Sequence, residues 1–261
     1  MRLCLLIALA FCGLSAQAET WRFVTEDFPP FTYPREGQRV ALDGPSAEGA
    51  GPFVEIIERA CQRLEQACRV EVLPWRRALN LAEEGQVEGI FTVIDNPERQ
   101  HYFHISRMLV AARYSLFTEQ DSALAYRQAA DLKGYHVGVY GPSGTALILE
   151  SLLKQVEDAT LEMETDNPRV LRKLAAGRYG PRGAILMNRD VALYLKQQLQ
   201  LENVREAGTV QSIQYGIGLS RALVSRDAFE AFDRALGELQ RRGEVASILA
   251  RYGLEPAAPQ K

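Results

Sequence analysis

The sequence has few of the residues on which metal centres and nucleic-acid surfaces depend. It contains three histidines and four cysteines among 261 residues, and its formal net charge of −3 offers no basic surface for nucleic acid or an acidic membrane. The motifs G-x-S-x-G and H-E-x-x-H and the phosphate-binding P-loop do not occur. His101 and His104 lie three positions apart, but no third metal ligand accompanies them. We therefore expect no catalytic residue, no metal site, no cofactor and no nucleic-acid partner.

The one long apolar run lies at the start of the chain, and none after residue 18 is long enough to cross a bilayer. Arg2 precedes an apolar stretch from Leu3 to Leu14, and Ala16-Gln17-Ala18 has the small-x-small pattern of a cleavage site. We predict a signal peptide over residues 1–18, cleavage after Ala18 and a periplasmic protein. An uncleaved anchor is the alternative, but the stretch is short for a membrane span. A lipid anchor on Cys12 is disfavoured by the large residue before it.

Cleavage would leave two cysteines, Cys61 and Cys68. In an exported protein such a pair favours a disulfide, because the compartment is oxidising. The bridge would tie the end of a helix to the start of a strand. Two free thiols, one of them packed as a small hydrophobe, are the alternative.

Hydrophobic periodicity alternates between strand and helix along the chain. Residues Trp21 to Thr25 alternate as a strand does, and apolar residues from Phe53 to Leu64 fall on one helical face that begins after Gly51-Pro52. A second strand follows from Cys68 to Val72, and helices and strands continue to alternate. This pattern predicts an α/β fold with largely parallel sheets.

Two segments of the chain resemble each other. Residues 74–91 and 168–186 each predict a helix begun by proline, ended by glycine and followed by a buried strand. Between them, a strand over Leu132–Tyr140 leads through a turn into an apolar helix from Ala146 to Val156. A further strand over Tyr215–Ser220 returns to the first part of the chain. The two similar units suggest two similar lobes, although any α/β chain yields some such likeness.

Several short motifs, in order along the chain, resemble those of the bacterial extracellular solute-binding proteins of family 3, the polar amino-acid binders of ABC importers. The motifs are Phe28-Pro29-Pro30-Phe31-Thr32-Tyr33, Gly51-Pro52-Phe53-Val54-Glu55-Ile56, Gly85-Gln86-Val87-Glu88-Gly89-Ile90, Asn96-Pro97-Glu98-Arg99, Asp131-Leu132-Lys133-Gly134 with Val137-Gly138-Val139, and Tyr215-Gly216-Ile217-Gly218-Leu219. The resemblance implies a two-lobed periplasmic binding protein type II fold, with two hinge strands and a ligand in the interlobe cleft. Lobe one would comprise residues 19–113 and 214–261, and lobe two residues 118–210.

The resemblance also implies that Arg99 grips a carboxylate of the ligand. Family members carry an arginine here in a Thr-x-x-Arg motif, in which this chain has Asn96 in place of the threonine. A guanidinium matches a carboxylate through two parallel hydrogen bonds. The alternative is that Arg99 pairs with Glu98 or Asp95 at the surface. We expect Glu83-Glu84 to be a solvated helix face.

The turn Ser143-Gly144-Thr145 is the implied counterpart on the second lobe. Backbone N–H groups and hydroxyls at a helix N-terminus form an anion site, and in the family this turn meets the same carboxylate. Ser143 or Thr145 can also simply cap the helix, and capping leaves other N–H groups free.

Aromatic and apolar residues are expected to line the rest of the cleft. The resemblance places Phe28 and Phe31 as an aromatic wall against the ligand and Trp75 near it. It also places Thr92 and Val93 in the cleft, but the segment that carries them is one residue shorter than usual, so their register stays open. Core packing is the alternative for Phe31 and Trp75.

Asn188 departs from the family pattern. Relatives usually have an aspartate there, which pairs with the α-ammonium of the ligand, whereas an amide brings no charge. The departure favours an organic anion or a modified amino acid over a standard α-amino acid as the ligand. Asp190 and Glu26 are the acidic residues that could act instead.

The sequence therefore predicts a periplasmic solute-binding protein and not an enzyme. Its partners would be a small polar, carboxylate-bearing solute, such as an amino acid or a related compound, and an ABC permease in the inner membrane. We expect a monomer. Two alternatives stay open: an enzyme on the same fold that resembles the cyclohexadienyl dehydratases, and a sensor that reports ligand to a membrane signalling partner.

Overall fold

The computed structural model describes residues 20–36, 38 and 45–258. The predicted signal peptide and its cleavage site lie outside the described residues. The strands are β1 Trp21–Thr25, β2 Tyr33–Pro34, β3 Ala47–Ala50, β4 Cys68–Val72, β5 Gly89–Val93, β6 Phe103–Ile105, β7 Val110–Glu119, β8 His136–Tyr140, β9 Thr160–Glu164, β10 Gly183–Asn188, β11 Val204–Ser220 and β12 Glu255–Pro256. The α-helices are α1 Pro52–Arg63, α2 Trp75–Glu83, α3 Pro97–Tyr102, α4 Gly144–Leu153, α5 Asn167–Ala175, α6 Arg189–Gln198, α7 Arg226–Arg241 and α8 Glu244–Ala250, with a 3₁₀ helix at Ala129–Leu132.

Ten of the twelve described strands follow one path, β2-β3-β4-β1-β5-β11-β7-β10-β8-β9, while β6 pairs with β11 and β12 pairs with β7. In what we call the first half of the sheet, β1 pairs in parallel with β4 and β5; in the second half, β8 pairs in parallel with β9 and β10. The long strand β11 joins the halves, because its beginning runs antiparallel to β7 and its end antiparallel to β5. The predicted α/β fold with parallel sheets is confirmed.

Helix α1 shows how the core of the first half is built. Pro52 begins the helix, where the missing N–H of proline is not needed. The helix contacts β4, α7 and α8, and burial of each large apolar side chain contributes about 1.5–3 kcal/mol. The predicted apolar face is the buried one, with Phe53, Val54, Ile56, Ile57, Ala60 and Cys61 turned inward.

The predicted disulfide is present between Cys61 and Cys68, whose Cα atoms lie 6.2 Å apart. It ties the last turns of α1 to the first residue of β4, as the sequence pattern indicated. No described helix is long and apolar enough to cross a membrane.

Three elements differ from their predicted bounds. The strand predicted to begin at Leu132 begins at His136 as β8, because Ala129–Leu132 form a 3₁₀ helix. Helix α4 ends at Leu153 rather than Val156, because the chain tightens into a turn in which Val156 N–H donates to the Leu153 carbonyl. Strand β11 begins at Val204, well before the predicted strand over residues 215–220. Its first part is mostly half-exposed, so it lacks the apolar pattern that marks a buried strand.

Candidate functional site

A cavity of about 210 Å³ opens where the ends of β1, β5 and β10 meet the N-terminus of α4. Ligand sites in open α/β sheets usually lie at the carboxyl ends of strands. Nine of the ten predicted site residues line it: Phe28, Trp75, Thr92, Val93, Arg99, Ser143, Gly144, Thr145 and Asn188. The cavity is also lined by Glu26 and Asn96, which the sequence analysis discussed without counting them among the site residues. The remaining lining residues were not predicted to bind ligand: Ile94, Glu98, Tyr114, Tyr140, Leu147, Ile148, Ser151, Asn167 and Tyr215.

A larger groove of about 700 Å³ lies beside β7 and β11. It contains Asp190, one of the two acidic residues considered as a substitute for the family aspartate. Asp190 is not among the residues that line the smaller cavity. We take the smaller cavity as the candidate site, because it gathers the buried polar groups described below.

Phe31 packs behind the cavity wall. It is fully buried, and its ring stacks on that of Phe28 with centroids 5.3 Å apart. Tyr215 meets both rings edge-on, at 6.1 Å from Phe28 and 5.4 Å from Phe31. Phe28 therefore presents the aromatic surface, and Phe31 has the core-packing role that was its alternative.

Thr92 forms a bulge at the end of β5. Gly216 and Ile217 of β11 pair with Val93 and Phe91, so Thr92 is one extra residue on its strand. Its φ of 60° lies in the left-handed region, which costs a β-branched residue about 1–3 kcal/mol. The Thr92 hydroxyl donates to the Phe91 carbonyl at 2.5 Å and lies 3.1 Å from the Thr25 hydroxyl. The bulge settles the register, because it lets Thr92 and Val93 both line the cavity.

Arg99 enters the cavity from the first turn of α3. Asn96 caps this helix by accepting a hydrogen bond of 2.8 Å from Arg99 N–H, a role asparagine fills at least as well as the usual threonine. The guanidinium donates from Nη1 to Oε1 of Glu83 at 2.6 Å. The expectation of a solvated Glu83 was therefore wrong, and neither Glu98 nor Asp95 is the partner of Arg99 in this ion pair.

The hydroxyls at the start of α4 are engaged by the protein itself. Ser143 caps the helix by accepting from Ala146 N–H at 3.2 Å, and it donates to the Tyr140 carbonyl at 2.7 Å. The Thr145 side chain hydrogen-bonds with Tyr114. Because the cap uses Ala146 N–H, the N–H groups of Gly144 and Thr145, which have no partner within the helix, are the ones that remain for an anion.

Asn188 has its amide fixed by three hydrogen bonds. Its Oδ1 accepts from the N–H groups of Asp190 at 2.9 Å and Val191 at 3.1 Å, which caps α6. Its Nδ2 donates to the Tyr215 hydroxyl at 3.1 Å, and that hydroxyl lies 3.3 Å from the Tyr114 hydroxyl. Because the carbonyl oxygen is used by the cap, this side chain offers N–H and no free acceptor to the cavity network.

Glu26 is a charged lining residue that the sequence analysis named only as a possible substitute for the family aspartate. It follows the last residue of β1 and lines the cavity. Burial raises the pKa of this carboxyl to about 8; a hydrogen bond with Tyr140 opposes the shift and the charge of Asp27 adds to it. An acidic residue at the carboxyl end of a central parallel strand was the available signal. Among the described residues, no cluster of His, Cys, Asp and Glu could hold a metal ion.

The chain belongs to the bacterial extracellular solute-binding proteins, family 3, whose sequence pattern matches residues 22–255. A search of curated proteins found no match. Among solved structures, the chain is similar to a histidine kinase sensor domain described as similar to periplasmic binding proteins, with a TM-score of 0.77, 17% identity and coverage of 92% of this chain and 98% of the other. It is also similar to an ancestral arginine-binding protein bound to arginine, with a TM-score of 0.75, 19% identity and coverage of 89% and 97%.

A third similar structure is an ancestral amino-acid-binding protein described as a precursor of cyclohexadienyl dehydratase, with a TM-score of 0.71, 15% identity and coverage of 89% and 94%. At these identities the likeness concerns the fold. The recognised family and the two-lobed periplasmic binding protein fold are thus confirmed.

Proposed function

We propose that this protein binds a small polar solute through a carboxylate group and delivers it to an ABC permease from the periplasm. One observation carries the proposal. A guanidinium from the first half of the sheet and a helix N-terminus from the second half line one cavity of about 210 Å³. Both groups favour a carboxylate, so a ligand held by both would draw the halves together.

The lobes proposed for this closure are residues 19–113 with 214–261, and residues 118–210. The division is supported by the sheet, since β7 and β11 are the strands that run between its halves. Closure would then bend these two strands. The size of the cavity supports a compact solute, because sites for drug-sized ligands are about 300–1,000 Å³.

A ligand screen followed by one substitution tests the proposal. A thermal-shift screen of amino acids, organic acids and polyamines should find carboxylates that raise the melting temperature. With the best of them, Arg99→Lys should weaken the calorimetric affinity about ten- to a hundredfold, because the bidentate fork becomes a point charge. Arg234→Lys is the matched control, since this side chain on α7 is 68% exposed. Unchanged affinity in Arg99→Lys would reject Arg99 as the anchor.

Glu26 also favours a second candidate, an enzyme on this fold. A carboxyl with a pKa of about 8 in a cavity is protonated at neutral pH, which is what a general acid requires. Chromatography of the bound carboxylate after prolonged incubation separates the two functions. Recovery of the unchanged compound supports binding alone. More moles of product than of protein would show that the protein is an enzyme.

A further inference from the structure

We propose that the solute is an amphipathic carboxylate whose apolar body lies along helix α4, against Leu147 and Ile148. The inference rests on the proposed function, since it concerns the remainder of a solute whose carboxylate is held at the first turn of the same helix. It narrows the expected solute to one that is polar at one end only.

Helix α4 carries apolar side chains on two of its faces. Ala146 and Leu149 are buried in the hydrophobic core. Leu147 is 54% exposed, and it packs against neither buried cluster of the residues that the structure describes. Helices at the surface usually place polar residues on the face opposite their core stripe. The fold of the protein itself therefore does not use the side chain of Leu147.

The second face of α4 forms a wall of the candidate site. Gly144, Leu147, Ile148 and Ser151 line the cavity, and their spacing of three and four residues places them on one side of the helix. At a rise of about 1.5 Å per residue, this wall extends about 10 Å from Gly144 to Ser151. Isolated exposed leucines are common on proteins, but this one lies within one turn of the N–H groups proposed to hold the carboxylate. The continuity of the wall with that anchor favours the rest of the same ligand as its occupant.

The wall is apolar beyond the first turn of the helix. Between the first-turn N–H groups and the Ser151 hydroxyl, it offers the hydrocarbon side chains of Leu147 and Ile148. Glu150 is the one charged residue of α4, and it is not among the residues that line the cavity. A polar ligand body would lose hydration here without gaining hydrogen bonds from these side chains. An apolar body would leave water at no such cost.

The first half of the sheet supplies a matching surface. Trp75, Val93 and Ile94 line the same cavity, and Trp75 and Ile94 are only partly buried against the core. An apolar body enclosed between these residues and Leu147 would bury surface from both halves of the sheet. It would therefore add to the attraction between the halves that the carboxylate provides.

The charge and the size of the cavity agree with such a ligand. Burial raises the pKa of Glu26 to about 8, so this carboxyl is protonated at neutral pH and does not repel an organic anion. Glu98 also lines the cavity but is exposed, so its charge stays hydrated. The volume of about 210 Å³ lies below the range for drug-sized ligands. The apolar body is therefore a single ring or a short alkyl chain.

Calorimetry with a series of carboxylates tests the inference. The probes are propanoate, hexanoate, 3-phenylpropanoate and gluconate, a six-carbon carboxylate whose remaining carbons all carry hydroxyl groups. Each buried methylene should raise the affinity about fourfold. Hexanoate and 3-phenylpropanoate should therefore bind at least about tenfold more tightly than propanoate. Gluconate should bind more weakly than hexanoate, because its hydroxyl groups would meet Leu147 and Ile148.

Two substitutions on α4 make the test specific. Leu147→Asn should lower the ratio of hexanoate affinity to propanoate affinity about tenfold, and Ser151→Leu, which extends the apolar wall, should raise it. Leu193→Asn is the matched control, because Leu193 on α6 is 40% exposed and does not line the cavity. All three positions are exposed, so the melting temperatures of the ligand-free variants should stay close to that of the native protein.

The outcomes separate this inference from the proposed function. Gluconate binding as tightly as hexanoate would overturn the apolar body and leave the carboxylate site standing. An unchanged affinity ratio in Leu147→Asn would also overturn it, and would assign the exposed leucine to contact with a protein partner. Failure of every carboxylate to bind, including those of the thermal-shift screen, would overturn the proposed function and the inference with it.

Discussion

The ends of β5 and β10 face one cavity from opposite halves of the sheet, yet they hold their polar groups in different ways. Each strand leads to an asparagine that caps the next helix, Asn96 for α3 and Asn188 for α6. After β5 the chain passes through the strained Thr92 and a short connection before it reaches the cap. After β10 the cap is the last strand residue itself.

The two halves differ in how well their polar groups are satisfied in the absence of a ligand. In the second half, the polar groups of Ser143 and Asn188 are satisfied by their own helices and neighbours. In the first half, Glu26 has no cation among the described residues and Thr92 keeps a costly backbone conformation. The comparison indicates that the first half contains the groups whose interactions improve when a ligand binds. The second half provides a preformed surface that needs little reorganisation.

The largest expected effect comes from removing each cap in turn. Asn188→Ala should lower the free energy of unfolding by about 2–3 kcal/mol, because it removes a cap and leaves buried polar groups unpaired. Asn96→Ala should cost about 1 kcal/mol, since it removes a cap alone. Urea denaturation of the ligand-free protein measures both. Equal losses would contradict the view that the second half is the more tightly satisfied one.

The local features of this fold were predictable from the sequence. The apolar face of α1, the Cys61–Cys68 disulfide and the two helix–strand units depend on spacing within about 20 residues, which periodicity and capping rules describe. The same holds for the placement of Ser143 at the beginning of a helix. Such rules fix where a residue lies on its element.

The contacts between elements were not predictable in the same way. Glu83 and Arg99 lie 16 positions apart on different helices, and nothing in either helix indicates the pair. The Thr92 bulge exists only relative to β11, so it is invisible without the pairing. Which of Phe28 and Phe31 faces the cavity depends on the turn between them, not on residue type.

A smaller effect is expected from separating Arg99 from its partner. Glu83→Gln should destabilise the ligand-free protein by about 1–2 kcal/mol, because a mostly buried guanidinium loses its counter-charge. Saturating carboxylate ligand should recover part of the loss, since the ligand can take the place of Glu83. Thermal denaturation with and without ligand checks this. Glu84→Gln, the exposed neighbour on the same helix end, is the control and should show neither effect.

The smallest expected effect is that of relieving the bulge. Thr92→Gly removes a strain of about 1–3 kcal/mol, but it also removes the contact with the Thr25 hydroxyl and adds about 0.5–1 kcal/mol of chain entropy to the unfolded state. These terms nearly cancel, so the free energy of unfolding should change by less than about 1 kcal/mol.

The neighbouring Val93→Gly is the matched comparison, because Val93 is 2% exposed and its backbone is unstrained. Loss of its buried side chain should cost about 2–3 kcal/mol, with no strain to offset it. Chemical denaturation of the two variants side by side gives the difference. If Thr92→Gly proved as destabilising as Val93→Gly, the hydroxyl contacts would outweigh the strain, and the first half of the cavity would be as well satisfied without ligand as the second.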